Sequence, residues 1–93
     1  MREFMVQVCK WRDKVNGNTY HNVIVILGDH HYLRSGFKYG YGNQYKETAI
    51  EMLKKEYPGI EVDYEQIVPV YEGYTDSEEL CRDFRGVLIY EDK

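Results

Sequence analysis

Across the segment Tyr39-Gly40-Tyr41-Gly42-Asn43-Gln44-Tyr45 the apolar pattern of this chain changes period, from two residues to between three and four. A period of two belongs to strands and one near 3.6 to helices, so the change divides any fold into a sheet-forming part and a helix-forming part. Upstream, three runs read as strands. Phe4 to Arg12 starts with apolar even positions (Phe4, Val6, Val8) and ends with Lys10 and Arg12 on them, the pattern of a strand whose far end leaves the core. Thr19 to Leu27 is apolar on both faces from Val23 onward, which predicts a central strand covered on both sides. Tyr32 to Tyr41 alternates, with Leu33, Phe37, Tyr39 and Tyr41 on one face and Arg34, Gly36, Lys38 and Gly40 on the other. Asn16-Gly17 and Gly28-Asp29-His30-His31 supply the reversals. The expectation is a three-stranded antiparallel meander.

Downstream, Tyr45, Ala49, Met52, Leu53 and Tyr57 recur at helical spacing, with Asn43 as candidate N-cap and Tyr57-Pro58-Gly59 as the stop. This main helix is expected to cover one face of the sheet. Ile60, Val62 and Tyr64 alternate with Glu61, Asp63 and Glu65 and suggest a short strand, and Pro69 limits any further strand to an edge or a loop. Thr75-Asp76-Ser77-Glu78 has capping-box spacing ahead of a short helix over 76–84 that would bury Leu80, Cys81 and Phe84 and end at Gly86. Val87-Leu88-Ile89-Tyr90 reads as a final strand. The expected architecture is one compact α+β domain over residues 1–93: a meander packed by one main helix, then a short helix and a final strand.

At 93 residues the chain has enough mass for one core. Its longest apolar run, Val23 to Leu27, is too short to cross a membrane, and Met1-Arg2-Glu3-Phe4 does not open a secretory signal. Cys9 and Cys81 stand far apart and neither has a second Cys or His at zinc-ligand spacing, so two reduced thiols in a cytoplasmic protein are expected, with no metal and no cofactor.

The small net charge of −4 hides a division. Residues 1–46 carry seven basic and three acidic groups, a net of +4, whereas residues 47–93 carry five basic and thirteen acidic groups, a net of −8. Tyrosine is also abundant, 10 residues against 3 Phe and 1 Trp. A core does not need that many hydroxyls, so part of the tyrosine belongs at a surface or interface. Two candidate surfaces follow. Tyr64, Tyr71 and Tyr74 with Glu61, Asp63, Glu65 and Glu72, extended by Asp76, Glu78 and Glu79, suit a basic protein partner. Lys10, Trp11, Arg12, Lys14, Arg34 and Lys38 suit nucleic acid, with cations on phosphates and rings stacked on bases. Against each stands the ordinary alternative of solvated charge and core aromatics.

Other constellations are weaker. Gly40 and Gly42 precede a helix start, but there is no Gly-Lys-Ser/Thr and no three-glycine dinucleotide spacing, so backbone reversal accounts for them. His30 and His31 are adjacent, with Asp29 alongside and no nucleophile placed by sequence; they leave only a third reading, a small His-dependent enzyme. Phe4 to Arg12, read as an exposed edge strand, would allow a homodimer by strand pairing.

Trp11-Arg12-Asp13-Lys14-Val15-Asn16-Gly17-Asn18-Thr19-Tyr20-His21, then Phe37-Lys38-Tyr39-Gly40-Tyr41-Gly42-Asn43-Gln44-Tyr45 and Thr48-Ala49, resemble segments of a group of small uncharacterised phage and mobile-element proteins. The resemblance covers about the first two-thirds of the chain and leaves the part from Ile60 onward unmatched. It implies a viral or mobile-element source and an accessory role, and carries no activity. The leading expectation is a non-enzymatic accessory protein acting by protein binding, of the host-defence-inhibitor kind by analogy of class. A nucleic-acid-binding module on the basic half is the alternative.

Overall fold

The computed structural model of the protein describes residues 4–27 and 31–86. Within them lie three long strands, β1 (Met5–Asp13), β2 (Asn18–Ile26) and β3 (Tyr32–Tyr39), then helix α1 (Gln44–Glu56), a 3-10 turn at Tyr64–Gln66, strand β4 (Pro69–Thr75) and the short helix α2 (Glu78–Arg82). The sheet order is β3-β2-β1-β4, with β1–β2 and β2–β3 antiparallel and β4 parallel to β1.

The meander forms as expected, and β2 is internal, as its two apolar faces require. The β1–β2 turn is closed by Asp13, whose carboxylate accepts from the Val15 N–H (3.0 Å) and the Asn16 side chain (2.8 Å), while the Gly17 N–H donates to the Asp13 carbonyl (2.7 Å). These bonds to its charged form hold the Asp13 carboxyl below its ordinary value, the Asn16 side chain contributing most. Gly17 sits at φ +74°, in the left-handed region glycine adopts without strain.

Three expectations about strands and their pairing need correction. The sheet is mixed and has four strands rather than three. Its fourth strand runs from Pro69, where the missing N–H is tolerated because β4 is an edge of the sheet among the described residues. The Ile60–Tyr64 alternation does not become a strand; Tyr64 instead opens the 3-10 turn. Finally, β1 is hydrogen-bonded on both sides, to β2 and to β4, so the proposed homodimer through a free Phe4–Arg12 edge has no edge to use. Residues 87–90, expected as a final strand, lie outside the described residues.

The register sorts side chains onto two faces. Val6, Val8 and Lys10 stand opposite Val25, Val23 and His21, so these six share a face, and α1 lies across it. Val6, Val8, Val23 and Val25 pack with Tyr45, Ala49 and Leu53 of α1 and with Ile67 to make the core. The other face carries Gln7, Cys9 and Trp11 opposite Ile24, Asn22 and Tyr20, and α2 lies against part of it. A bulge in β3 upsets the alternation read from its sequence. Leu33 pairs with Val25 and Phe37 with Asn22, so four steps along β3 match three along β2. Leu33 therefore joins the α1 side and Phe37 the α2 side. Gly36, at φ +81°, absorbs the extra residue, and Ser35 Oγ accepts the Val23 N–H at 2.9 Å.

The helices are set by different devices. Asn43 holds the N-cap position of α1 but makes no side-chain cap hydrogen bond. The cap of α2 is Ser77, whose hydroxyl accepts the Leu80 N–H at 3.2 Å; the capping spacing therefore starts two residues later than Thr75. Of the residues expected to be buried there, Cys81 is fully buried and Phe84 half-buried, but Leu80 points into solvent. The C-terminal end of α2 is held by polar contacts to its carbonyls: Asn22 Nδ2 donates to Cys81 (2.9 Å) and Arg82 (3.1 Å), and Arg34 to Arg82 (2.5 Å) and Phe84 (2.7 Å).

Leu53 is completely buried between α1 and the sheet. Leu53→Ala is expected to cost about 2–5 kcal/mol in urea unfolding, and Val15→Ala, at a 91% exposed turn position, to stay within about 0.5 kcal/mol.

Candidate functional site

Several sequence-selected residues meet where β3 hands over to α1. Lys10 belongs to the basic set and Glu72 to the acidic set, yet they form one ion pair at 2.6 Å. Lys10 is only 4% exposed; its ammonium also donates to the Gly42 carbonyl (3.1 Å) and lies 5.0 Å and 5.4 Å from the ring centroids of Tyr45 and Tyr74. His21, beside it on the same face, contacts the Gly40 carbonyl through Nδ1 (3.2 Å) and Thr48 Oγ1 through Nε2 (2.8 Å). The chain passes so close that a Cβ on Gly40 would come within 2.7 Å of His21 Cε1. Together these contacts anchor the Gly40–Gly42 crossing to the sheet. Burial lowers the His21 pKa and the nearby Lys10 and Lys38 charges add to this, although the Gly40 carbonyl opposes it. His21 is thus kept neutral and positions the backbone.

The acidic and tyrosine-bearing set divides. Glu61, Asp63 and Glu65 are exposed around the 3-10 turn, and Tyr64 stands exposed at its start, with its hydroxyl bonded to Glu47, which raises the phenol's pKa. Tyr74 is 68% exposed on strand β4, Val70 is exposed earlier on the same strand, and Val68 is exposed just ahead of it. Tyr71 points to the opposite face, stacks against Phe84 with centroids 6.0 Å apart, and is half-buried. Glu72 is committed to Lys10.

The basic set divides further. Lys10 is interior, and Arg34 spends its guanidinium on the carbonyls after α2. Arg12, Lys14 and Lys38 are exposed. Arg12 and Lys38 stand on the α1 face, Lys14 in the turn, and Lys38 lines a groove of about 570 Å³ between β3 and α1 that Glu51 and Glu56 also line. Trp11 is on the other face, in a ring strip that sequence reasoning did not assemble. Trp11 and Tyr20 lie 5.7 Å apart, Tyr20 and Phe37 stack at 4.8 Å, Tyr39 meets Tyr20 edge-on at 5.6 Å, and the Arg82 guanidinium covers Phe37 at 4.2 Å. The signal that would have found it is the bulge at Gly36, which turns Phe37 and Tyr39 away from the α1 core.

Of the histidines named for an enzyme, His30 lies outside the described residues and His31 is exposed, 3.3 Å from Glu56 Oε2. Among the described residues no three His, Cys, Asp or Glu side chains converge as metal ligands, and no helix is long and apolar enough to cross a membrane. No family model, curated protein or solved structure matches the chain.

Two stability predictions follow from this junction. Unfolded His21 takes up a proton near its ordinary pKa of 6.5, while the folded residue resists it. Its contribution is therefore full above pH 6.5 and is lost as pH falls through the lower folded value. Urea unfolding at pH 7.5 and 5.0 is expected to show a smaller acid-induced loss in His21→Gln than in the wild type. Glu72→Leu leaves a buried ammonium with one carbonyl partner and is expected to cost about 1.5–3 kcal/mol, more than Lys10→Met, which removes the charge itself.

Proposed function

We propose that the chain is a small non-enzymatic accessory protein that binds another protein along the β4 edge and the acidic 3-10 turn that precedes it in the chain. The observation that carries this reading is the exposure of Val70 and Tyr74 on a strand that forms a sheet edge among the described residues, with exposed Val68 just ahead of it and the exposed carboxylates of Glu61, Asp63 and Glu65 in the segment that leads into it. Exposed apolar side chains within a charged rim are the anatomy of an interface, and an edge strand offers main-chain groups for strand addition. The charge favours a basic partner. A viral or mobile-element source, as the Trp11–His21 and Phe37–Tyr45 segments imply, makes a host-defence protein the class of partner to try first. Captured host protein is expected to bind Val70→Glu/Tyr74→Ala at least about tenfold more weakly than wild type, with the circular dichroism spectrum unchanged. A partner retained equally by wild type and the double variant would exclude this surface.

The ring strip supports a second reading, in which single-stranded nucleic acid stacks on Tyr39 and Trp11 and Lys14, exposed in the β1–β2 turn, meets a phosphate, Arg12 standing on the opposite face. It draws on fewer cations than the sequence implied, because Lys10 and Arg34 are committed internally. A salt titration with oligonucleotides tests it. On this reading Tyr39→Ala loses about 1–3 kcal/mol of binding, and absence of binding at low salt removes the reading.

A further inference from the structure

The two cysteines stand 72 positions apart in sequence and meet in the fold. Cys9 lies on β1, on the face α2 covers, and Cys81 is the one fully buried residue of α2. Cys81 Sγ donates to the Cys9 carbonyl oxygen at 3.4 Å, which sets the Cys81 thiol against β1 at Cys9. The β4 residue paired with Cys9 is Gly73, and the Tyr71 side chain fills the space that a Cβ there would take. Both thiols are free. The other contacts of α2 with the sheet are the Asn22 and Arg34 bonds to its terminal carbonyls and the Arg82 guanidinium over Phe37, and Cys81 is the side chain of α2 that is fully enclosed.

We propose that Cys9 and Cys81 are a paired oxidation site, at which a hydroperoxide converts the two thiols to a disulfide that staples α2 to β1. Cys9 is the entry point, as the one of the two that retains some contact with solvent. Its sulfur attacks the peroxide, an S–O bond forms as the O–O bond breaks, and the alcohol, or water from hydrogen peroxide, departs. The Cys81 sulfur then attacks the Cys9 sulfenic acid, the S–S bond forms and water leaves. Two thiols and one hydroperoxide thus give one disulfide, one alcohol and one water, with the two electrons passing to the peroxide oxygen. The neighbouring Cys81 thiol lowers the Cys9 pKa, while Cys9 and burial raise that of Cys81 and keep it protonated, which suits Cys9 to the first step. Attack requires α2 to lift, a local opening that a five-residue helix with a single enclosed side chain permits.

The test treats the full chain with hydrogen peroxide and reads three things: intact mass, peptides after non-reducing digestion, and thermal melting. Expected are a mass lower by two hydrogens and a linked Cys9–Cys81 peptide. The melting temperature should rise by about 10 °C or more, because the bond closes a long loop, and reductant should return it. Cys9→Ser and Cys81→Ser should each abolish the linked peptide and the rise. If either variant fails to fold, the wild-type linked peptide and melting shift still decide the matter. Sulfinic acid without a linked peptide, or disulfides only between chains, would overturn the assignment. A linked peptide with an unchanged or lower melting temperature would overturn the staple.

Discussion

The Lys10 ammonium sits where four parts of the chain meet. It is carried by β1, paired with Glu72 of β4, bonded to the Gly42 carbonyl ahead of α1 and placed near the Tyr45 ring of α1. A charge withdrawn from water that far needs its partners in place together, so the pair acts as a registry device more than as a source of stability. It selects the parallel β1–β4 pairing in which Glu72 and Tyr74 fall on the α1 face, and it fixes the height at which the chain crosses from β3 to α1. His21, the next residue across the register, anchors the same crossing from the other strand of the central pair.

This dependence explains what was readable beforehand and what was not. The meander, the main helix and its stop at Tyr57-Pro58-Gly59 are local, and periodicity reports local structure. The β1–β4 pairing joins residues more than sixty positions apart, and nothing in the β4 segment announces the partner. The alternation of β3 was legible but misleading, because a single bulge reverses the face of everything beyond it and a sequence records the extra residue only as a glycine. The candidate site suffered the same way. Lys10 reads as a surface cation because its partners are brought by distant segments, and Tyr71 and Tyr74 read as one patch although strand geometry sets them on opposite faces.

The charge division between the halves takes a different meaning in three dimensions. The basic half supplies the inner strands, and part of its charge is consumed there: Lys10 on Glu72, Arg34 on the carbonyls after α2. The acidic half supplies the β4 edge and the segment leading into it, where Glu61, Asp63 and Glu65 stay in solvent. Internal pairing therefore removes positive charge from the surface faster than negative charge, and the exterior near β4 is more acidic than the total of −4 conveys.

That edge is also guarded. An exposed strand with an outward valine and tyrosine is a template for pairing with its own copies. Here Pro69 withholds one N–H, the register slips between the residues paired with Val6 and Gln7, and Glu72 places a carboxylate in the middle of the strand, held there by Lys10. Two copies meeting edge to edge would bring like charges together and find their hydrogen-bond ladders out of step. A partner that escapes these penalties must present positive charge opposite the acidic rim and tolerate the irregular register. The features that discourage self-association thereby narrow the choice of partner, and the ion pair that organises the core is what holds the discriminating carboxylate in place.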